Sequence, residues 1–163
     1  MLSSEKSHEK VDFIINNLGI HPRVPKWSLH RQLPLLQLTH TLLFPDEKPA
    51  SLASLEDIYN LIDINLLDKK ARELGLVTEI IPGAAPVPDG SKKPLILVGK
   101  PSNVYKIKYQ NMRTDFACDG CDDIYEYLSS PMRIDEEYHT QMGLALGYPK
   151  ADVEAWVARF KRD

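Results

Sequence analysis

A Gly-Tyr-Pro corner near the C-terminal end constrains this chain more than any other stretch. Between Arg133 and Phe160 the sequence reads RIDEEYHTQMGLALGYPKADVEAWVARF, two helical patterns meeting at Gly147-Tyr148-Pro149. Ile134, Tyr138, Met142, Ala145 and Leu146 recur at spacings of three and four, which predicts one helix with a buried side. Asp135 is placed to cap it, and Glu136 and Glu137 put negative charge at the positive end of its dipole. Gly147 suits the left-handed residue that closes a helix, and Pro149 blocks any continuation. A second helix follows from about Lys150 to Phe160, with Val153, Trp156, Val157 and Phe160 as its apolar stripe. Trp156, the largest of these, is expected in the core. Gly143 lies inside the first helix, where glycine costs about 1 kcal/mol relative to alanine. Another element or a ligand must come close there.

The rest of the chain must supply something for these helices to cover. Its 163 residues are long enough for one domain with a real core, and the sequence shows no internal repeat. Helical periodicity dominates residues 7–75. Ser7–Leu18 carries Val11, Ile14, Ile15 and Leu18 on one side and ends at Gly19. A leucine-rich helical stretch lies between Ser28 and Phe44, with Pro34 starting its main part. Pro45–Ala50 reads as a surface loop. Ser54 with Asp57 resembles a capping box, opening a pattern that runs to Gly75 as one helix or as two jointed near Asp63. Asp68 with Arg72, and Lys69 with Glu73, are exposed pairs four apart.

Residues 76–110 change character. Val77–Ile81 reads as a strand, Pro82–Lys93 as a long loop, and Leu95–Val98 as a buried central strand. Gly99–Ser102 reads as a turn, and Val104–Tyr109 alternates like a half-buried strand. Asn111–Asp122 is read as a polar loop and Ile124–Leu128 as a short helix, beginning a helical region over 122–161. The expectation is a single α+β domain: about three strands in a small central sheet, flanked by N- and C-terminal helices.

Bulk properties narrow the function only by exclusion. A net charge of −3 argues against nucleic acid as the main partner. No apolar run approaches the ~20 residues of a membrane span, and the polar start MLSSEKSHEK is no secretory signal. Two cysteines suggest a reducing compartment, so a cytoplasmic protein is expected. The oligomeric state is not legible.

Three constellations could carry chemistry. Gly83, Gly90, Lys92, Lys93, Gly99, Lys100 and Ser102 surround the end of a strand, where backbone amides and ammonium groups can hold a phosphate. The spacing matches neither the P-loop nor the dinucleotide fingerprint, so an ordinary exposed loop is the competing reading. Together with Gly143, Gly147 and Tyr148 at the corner, this group suggests a site for a small anionic ligand such as a nucleotide. Cys118 and Cys121, with two residues between them, could share a zinc ion with His139 or exchange a disulfide. The flanking Asp119, Asp122 and Asp123 would raise the thiol pKa values, and a plain Asp-Gly turn explains the pattern equally well. His30 and His40 are spaced to face one side of a helix, and His139 follows a run of acids that a helix N-terminus already explains. Nothing here matches a serine nucleophile elbow, a zinc-protease helix or an EF-hand loop. A non-enzymatic regulator or inhibitor that meets a protein partner through its proline-rich loops and exposed aromatics stands beside the ligand-binding reading, and a small zinc protein beside both.

The segment from about Pro94 to Phe160 resembles a family of uncharacterised prokaryotic, mainly archaeal, proteins. That family has a short apolar strand, then a Gly-x-x-x-Gly-Tyr-Pro corner, then two cysteines and a valine. Here the corner is Gly143-Leu144-Ala145-Leu146-Gly147-Tyr148-Pro149, and Ala151 and Asp152 stand where the cysteines would be. The resemblance implies no activity, and the replaced cysteines leave no thiol or metal role at that position.

Overall fold

The structure is a computed structural model, describing the backbone of residues 4–81, 93–117 and 136–162 and the side chains of 8–81, 93–110 and 139–159. Helix α1 (Ser4–Asn17) leads through a 3-10 helix (Lys26–Arg31) to α2 (Leu33–Leu43). Strand β1 (Ala50–Ser54) runs directly into α3 (Leu55–Tyr59), followed by α4 (Ile64–Glu73) and β2 (Val77–Ile81). Strand β3 (Leu95–Gly99) precedes α5 (Pro101–Ala117), α6 (Glu136–Ala145) and α7 (Lys150–Arg162).

The fold is α+β: a three-stranded sheet in the order β1-β3-β2 between helices. Both pairings are antiparallel, with Leu97 opposite Leu52 on one side and Glu79 on the other. The central strand is apolar on both faces, because each face is covered. Ile96 and Val98 point into a cluster with Ile14, Leu18, Leu35 and Leu38 of the N-terminal helices. Leu97 points the other way, into a cluster with Val104, Ile107 and Ala145 of α5 and α6. The strand period of two therefore divides the molecule into two helical layers.

The third strand is not where the alternation placed it. Val104–Tyr109 is helical, part of α5, and the helix continues through 111–117, where the polar composition predicts a loop. Val104 and Ile107 are fully buried and Gln110 nearly so, while Tyr105, Lys106 and Tyr109 are exposed. That period of three outweighs the local alternation, and Pro101, with its φ preset, starts the helix at once. Gly99–Ser102 is accordingly the end of β3 and the first turn of α5, not a separate turn. The missing strand is β1, which lies where the sequence predicts the end of the Pro45–Ala50 loop and the Ser54 start of the next helix. Its small residues suit it: Ser51 and Ala53 lie under α2, where the Ser51 and Thr41 hydroxyls meet at 2.6 Å and Ser51 donates to the Gln37 carbonyl at 3.1 Å.

Other local expectations resolve simply. The stretch 54–75 is two helices, and Asp63 caps the second by accepting from the N–H groups of Asn65 and Leu66. Ser54 precedes α3 but its side chain makes no cap bond. The stretch 28–44 breaks at Gln32 into the 3-10 helix and α2, with Pro34 in the first turn of α2. Arg72 pairs with Asp68 as expected, but Glu73 takes Lys70 rather than Lys69, at 2.9 Å. Trp156 is 55% exposed, whereas Val153 and Val157, four apart on the neighbouring face, are buried against the rest of the layer. Among the described residues no helix is long and apolar enough to cross a membrane.

Candidate functional site

The corner between α6 and α7 is closed as its sequence requires. The Tyr148 N–H donates to the Gly143 carbonyl at 3.1 Å, and the Gly147 N–H to that of Leu144 at 3.0 Å. This pair is a Schellman motif, with Gly147 in the left-handed region at φ +91°. Gly143 is explained by packing: a Cβ there would lie 2.9 Å from Val153 Cγ2, so the glycine lets α7 close on α6.

Gly99 and Gly147, far apart in sequence, both abut Pro49. A Cβ on Gly99 would collide with the Pro49 carbonyl oxygen, and one on Gly147 with its ring. The same carbonyl accepts from the Lys100 N–H at 2.8 Å. The structure thus brings together the Gly99-Lys100 and Gly147-Tyr148 groups, and Pro49 fills the space between them. Lys100 Nζ is engaged with Asp46 at 2.8 Å, which holds the Asp46 carboxyl below its ordinary pKa. Ser102 Oγ donates to Asn103 Oδ1 at 3.3 Å, and Asn103 in turn ties α5 to the Ala145 carbonyl at 3.0 Å. Lys93 is exposed just before β3. Gly83, Gly90, Lys92, Cys118, Cys121 and Asp135 lie outside the described residues, among which no group of three or more metal-ligating side chains gathers.

Beside Pro49 opens a cleft of about 350 Å³, where α1, α2, the loop before β1 and the corner meet. Lys10, His40, Glu47, Lys48, Gly147 and Tyr148 line it, with Leu33, Leu36, Gln37 and Leu146. Lys10 is fully buried, in register with Ile14 and Leu18 on the inner side of α1. Lys48 is partly buried, and desolvation pulls its pKa below the ordinary 10.5. Its ammonium sits 5.0 Å from the centre of the Tyr148 ring, a cation–π contact. His40 Nε2 lies 3.0 Å from Glu47 Oε2, and the imidazole leans on Phe44 with ring centres 5.1 Å apart. His30, by contrast, is exposed in the 3-10 helix, so the two histidines share no face.

A second cleft, of about 320 Å³, lies between α6 and α7. Met142, Leu146, Val153 and Trp156 make it apolar, and His139 and Asp152 stand in its wall. The His139 and Trp156 rings meet edge to face, with centres 6.3 Å apart. Leu146 and Tyr148 line both clefts.

The sequence reading named Gly147, Tyr148, His40 and His139 but missed Lys10 and Lys48. Lys10 carried a usable signal: it lies four residues before Ile14 and eight before Leu18, so the helical period alone puts a lysine on the buried side. Lys48 gave none, because only tertiary contact with Tyr148 makes its loop a wall. Comparison of the chain with protein-family models, with curated proteins and with solved structures found no match.

Proposed function

We propose that this protein binds a small anionic molecule in the cleft bounded by Lys10, Lys48 and Tyr148. One observation carries the reading: Lys48, partly desolvated and set against the Tyr148 ring, lines a cavity that a second lysine, Lys10, also lines. Taking an ammonium out of water is costly, and an anion placed against it offsets that cost. The cleft is of the size used for small ligands, and Gln37 and the Tyr148 ring add polar and stacking surface. His40 Nε2 and Glu47 Oε2 meet at 3.0 Å, and the two lysines outnumber this one carboxylate among the lining residues. A nucleotide is the finer form of the proposal, with Tyr148 the surface on which a base would stack. Turnover is not part of it.

The test is titration of the isotopically labelled protein with acetate, inorganic phosphate and adenosine monophosphate. Saturable shifts confined to residues around Lys48 and Tyr148, lost in Lys48→Met, are the expected result. Titrations that leave those signals unmoved would remove the proposal.

A second reading has one observation in its favour. Tyr105 and Tyr109 stand exposed one helical turn apart on α5, a pair suited to meeting a protein partner. Capture of a partner by the native protein but not by a Tyr105→Ser/Tyr109→Ser variant would support it. The resemblance of residues 94–160 to an uncharacterised prokaryotic family is likewise a proposal and brings no activity with it.

A further inference from the structure

We infer that the ligand is an amphipathic anion, a carboxylate or phosphate carrying an apolar chain or ring, whose head lies at Lys48 and whose apolar part crosses Tyr148 into the cleft between α6 and α7. This rests on the anion-binding reading and names the class of molecule the site takes. The argument is one of continuity and polarity. Leu146 and Tyr148 are shared walls, so the two clefts adjoin along the corner. Tyr148 is about half exposed, which leaves its ring as an open surface between them. One side of that surface presents Lys48, 5.0 Å from the ring centre, in the cleft that buried Lys10 also lines. The other side presents Met142, Val153 and Trp156, and no lysine or arginine among the described residues lining it.

Charge also fixes the orientation. Asp152 lies in the wall of the apolar cleft and would repel an anionic head placed there. The other cleft attracts it, because Lys10 and Lys48 outnumber the single carboxylate, Glu47, among its lining residues. A wholly hydrophilic anion would leave the apolar cleft and the exposed Trp156 ring in water. A ligand with an apolar part covers both, and that burial drives association.

The experiment separates head from tail. Acetate and inorganic phosphate present the head alone, decanol the tail alone, and decanoate and decyl phosphate both. All five are titrated as monomers into a Trp27→Phe variant, in which Trp156 is the one remaining tryptophan. Its fluorescence reports the apolar cleft, and the nuclear resonance signals of Lys48 report the head. The expected result is that decanoate or decyl phosphate binds at least about tenfold more tightly than acetate, phosphate or decanol, moving both reporters, since burying even a few methylenes requires that much. Trp156→Ala should then weaken decanoate while leaving acetate unchanged, and Lys48→Met should weaken decanoate while leaving decanol unchanged. Acetate or phosphate binding as tightly as its decyl counterpart, with Trp156 silent, overturns the amphipathic assignment and leaves the anion site standing. Decanol matching decanoate also overturns it. If none of the five moves Lys48, the anion reading itself has failed.

Discussion

The two helical layers on either side of the sheet are built differently. On the N-terminal side, α1 to α4 bury a continuous leucine-rich cluster on Ile96 and Val98, and beside it the buried hydroxyls of Thr41 and Ser51 meet each other. On the C-terminal side, the cluster on Leu97 is smaller and rests on Val104, Ile107 and Ala145. Beyond it α6 and α7 meet through a glycine, and Trp156 stays half out. Both clefts involve this second layer: one lies inside it and one at its seam with the first. The larger cluster anchors the sheet, while a layer held by a few close backbone approaches leaves room for a ligand.

The sharpest way to break that comparison is to cut into each layer. Leu38→Ala, at a fully buried site of the first layer, should cost about 2–5 kcal/mol. Val157→Ala, in the second, should cost only about 1–2 kcal/mol from the area lost. Denaturant unfolding of the two variants measures both, and equal losses per carbon removed, three at Leu38 and two at Val157, would mean that the layers are alike. Next in size is Gly147→Ala. The left-handed conformation alone costs about 1–2 kcal/mol for a residue with a Cβ, and the added methyl meets Pro49. This variant should also disturb the Lys48–Tyr148 contact, which a change in Tyr148 resonances would show. Smaller again is Asp63→Ala in the first layer. Loss of its cap on α4 should cost about 1 kcal/mol without touching either cleft. Unchanged anion affinity in that variant is the internal control.

The smallest expected effect is one of pH. Burial holds the Lys48 ammonium below its ordinary pKa of 10.5, so the unfolded chain binds more protons than the native one between that depressed value and 10.5. Stability attributable to Lys48 should therefore rise with pH across this window, and the penalty should be full below it. Anion affinity should run the opposite way, falling as the native ammonium loses its proton. A melting temperature from Lys48 that fell with rising pH in that window would contradict the assigned burial.

Much of this arrangement can be read from the chain, and the failures have physical causes. The corner is legible because Gly147, Tyr148 and Pro149 act locally: a left-handed residue and a blocked N–H leave little choice. The central strand is legible because Leu95–Val98 is apolar on both faces, which only a covered strand tolerates. Val104–Tyr109 misleads because six residues can satisfy a period of two and a period of three at once. The decision rests on Pro101 at one end and Gln110 at the other, just outside the alternating run. Strand β1 is hidden because Ala50, Ser51 and Ala53 have little strand preference and are chosen for fit beneath α2. The size of Trp156 points to the core, but burial follows the direction a residue faces. As to the site, its glycines are visible from their cost, and Pro49, not a ligand, is what two of them accommodate. The lysines are visible only in part, since Lys10 breaks a helical stripe but Lys48 becomes special through Tyr148, a hundred residues on.

One measurement tests the account most directly: paired thermal unfolding and decanoate titration of the native protein and of Lys48→Met at neutral pH. A lysine kept partly desolvated for a ligand should be dispensable for folding, so Lys48→Met should melt at the same temperature or higher and bind decanoate more weakly. A variant that melts lower, yet binds decanoate as the native protein does, would show that Lys48 serves the fold and that the cleft beside Tyr148 is not an anion site.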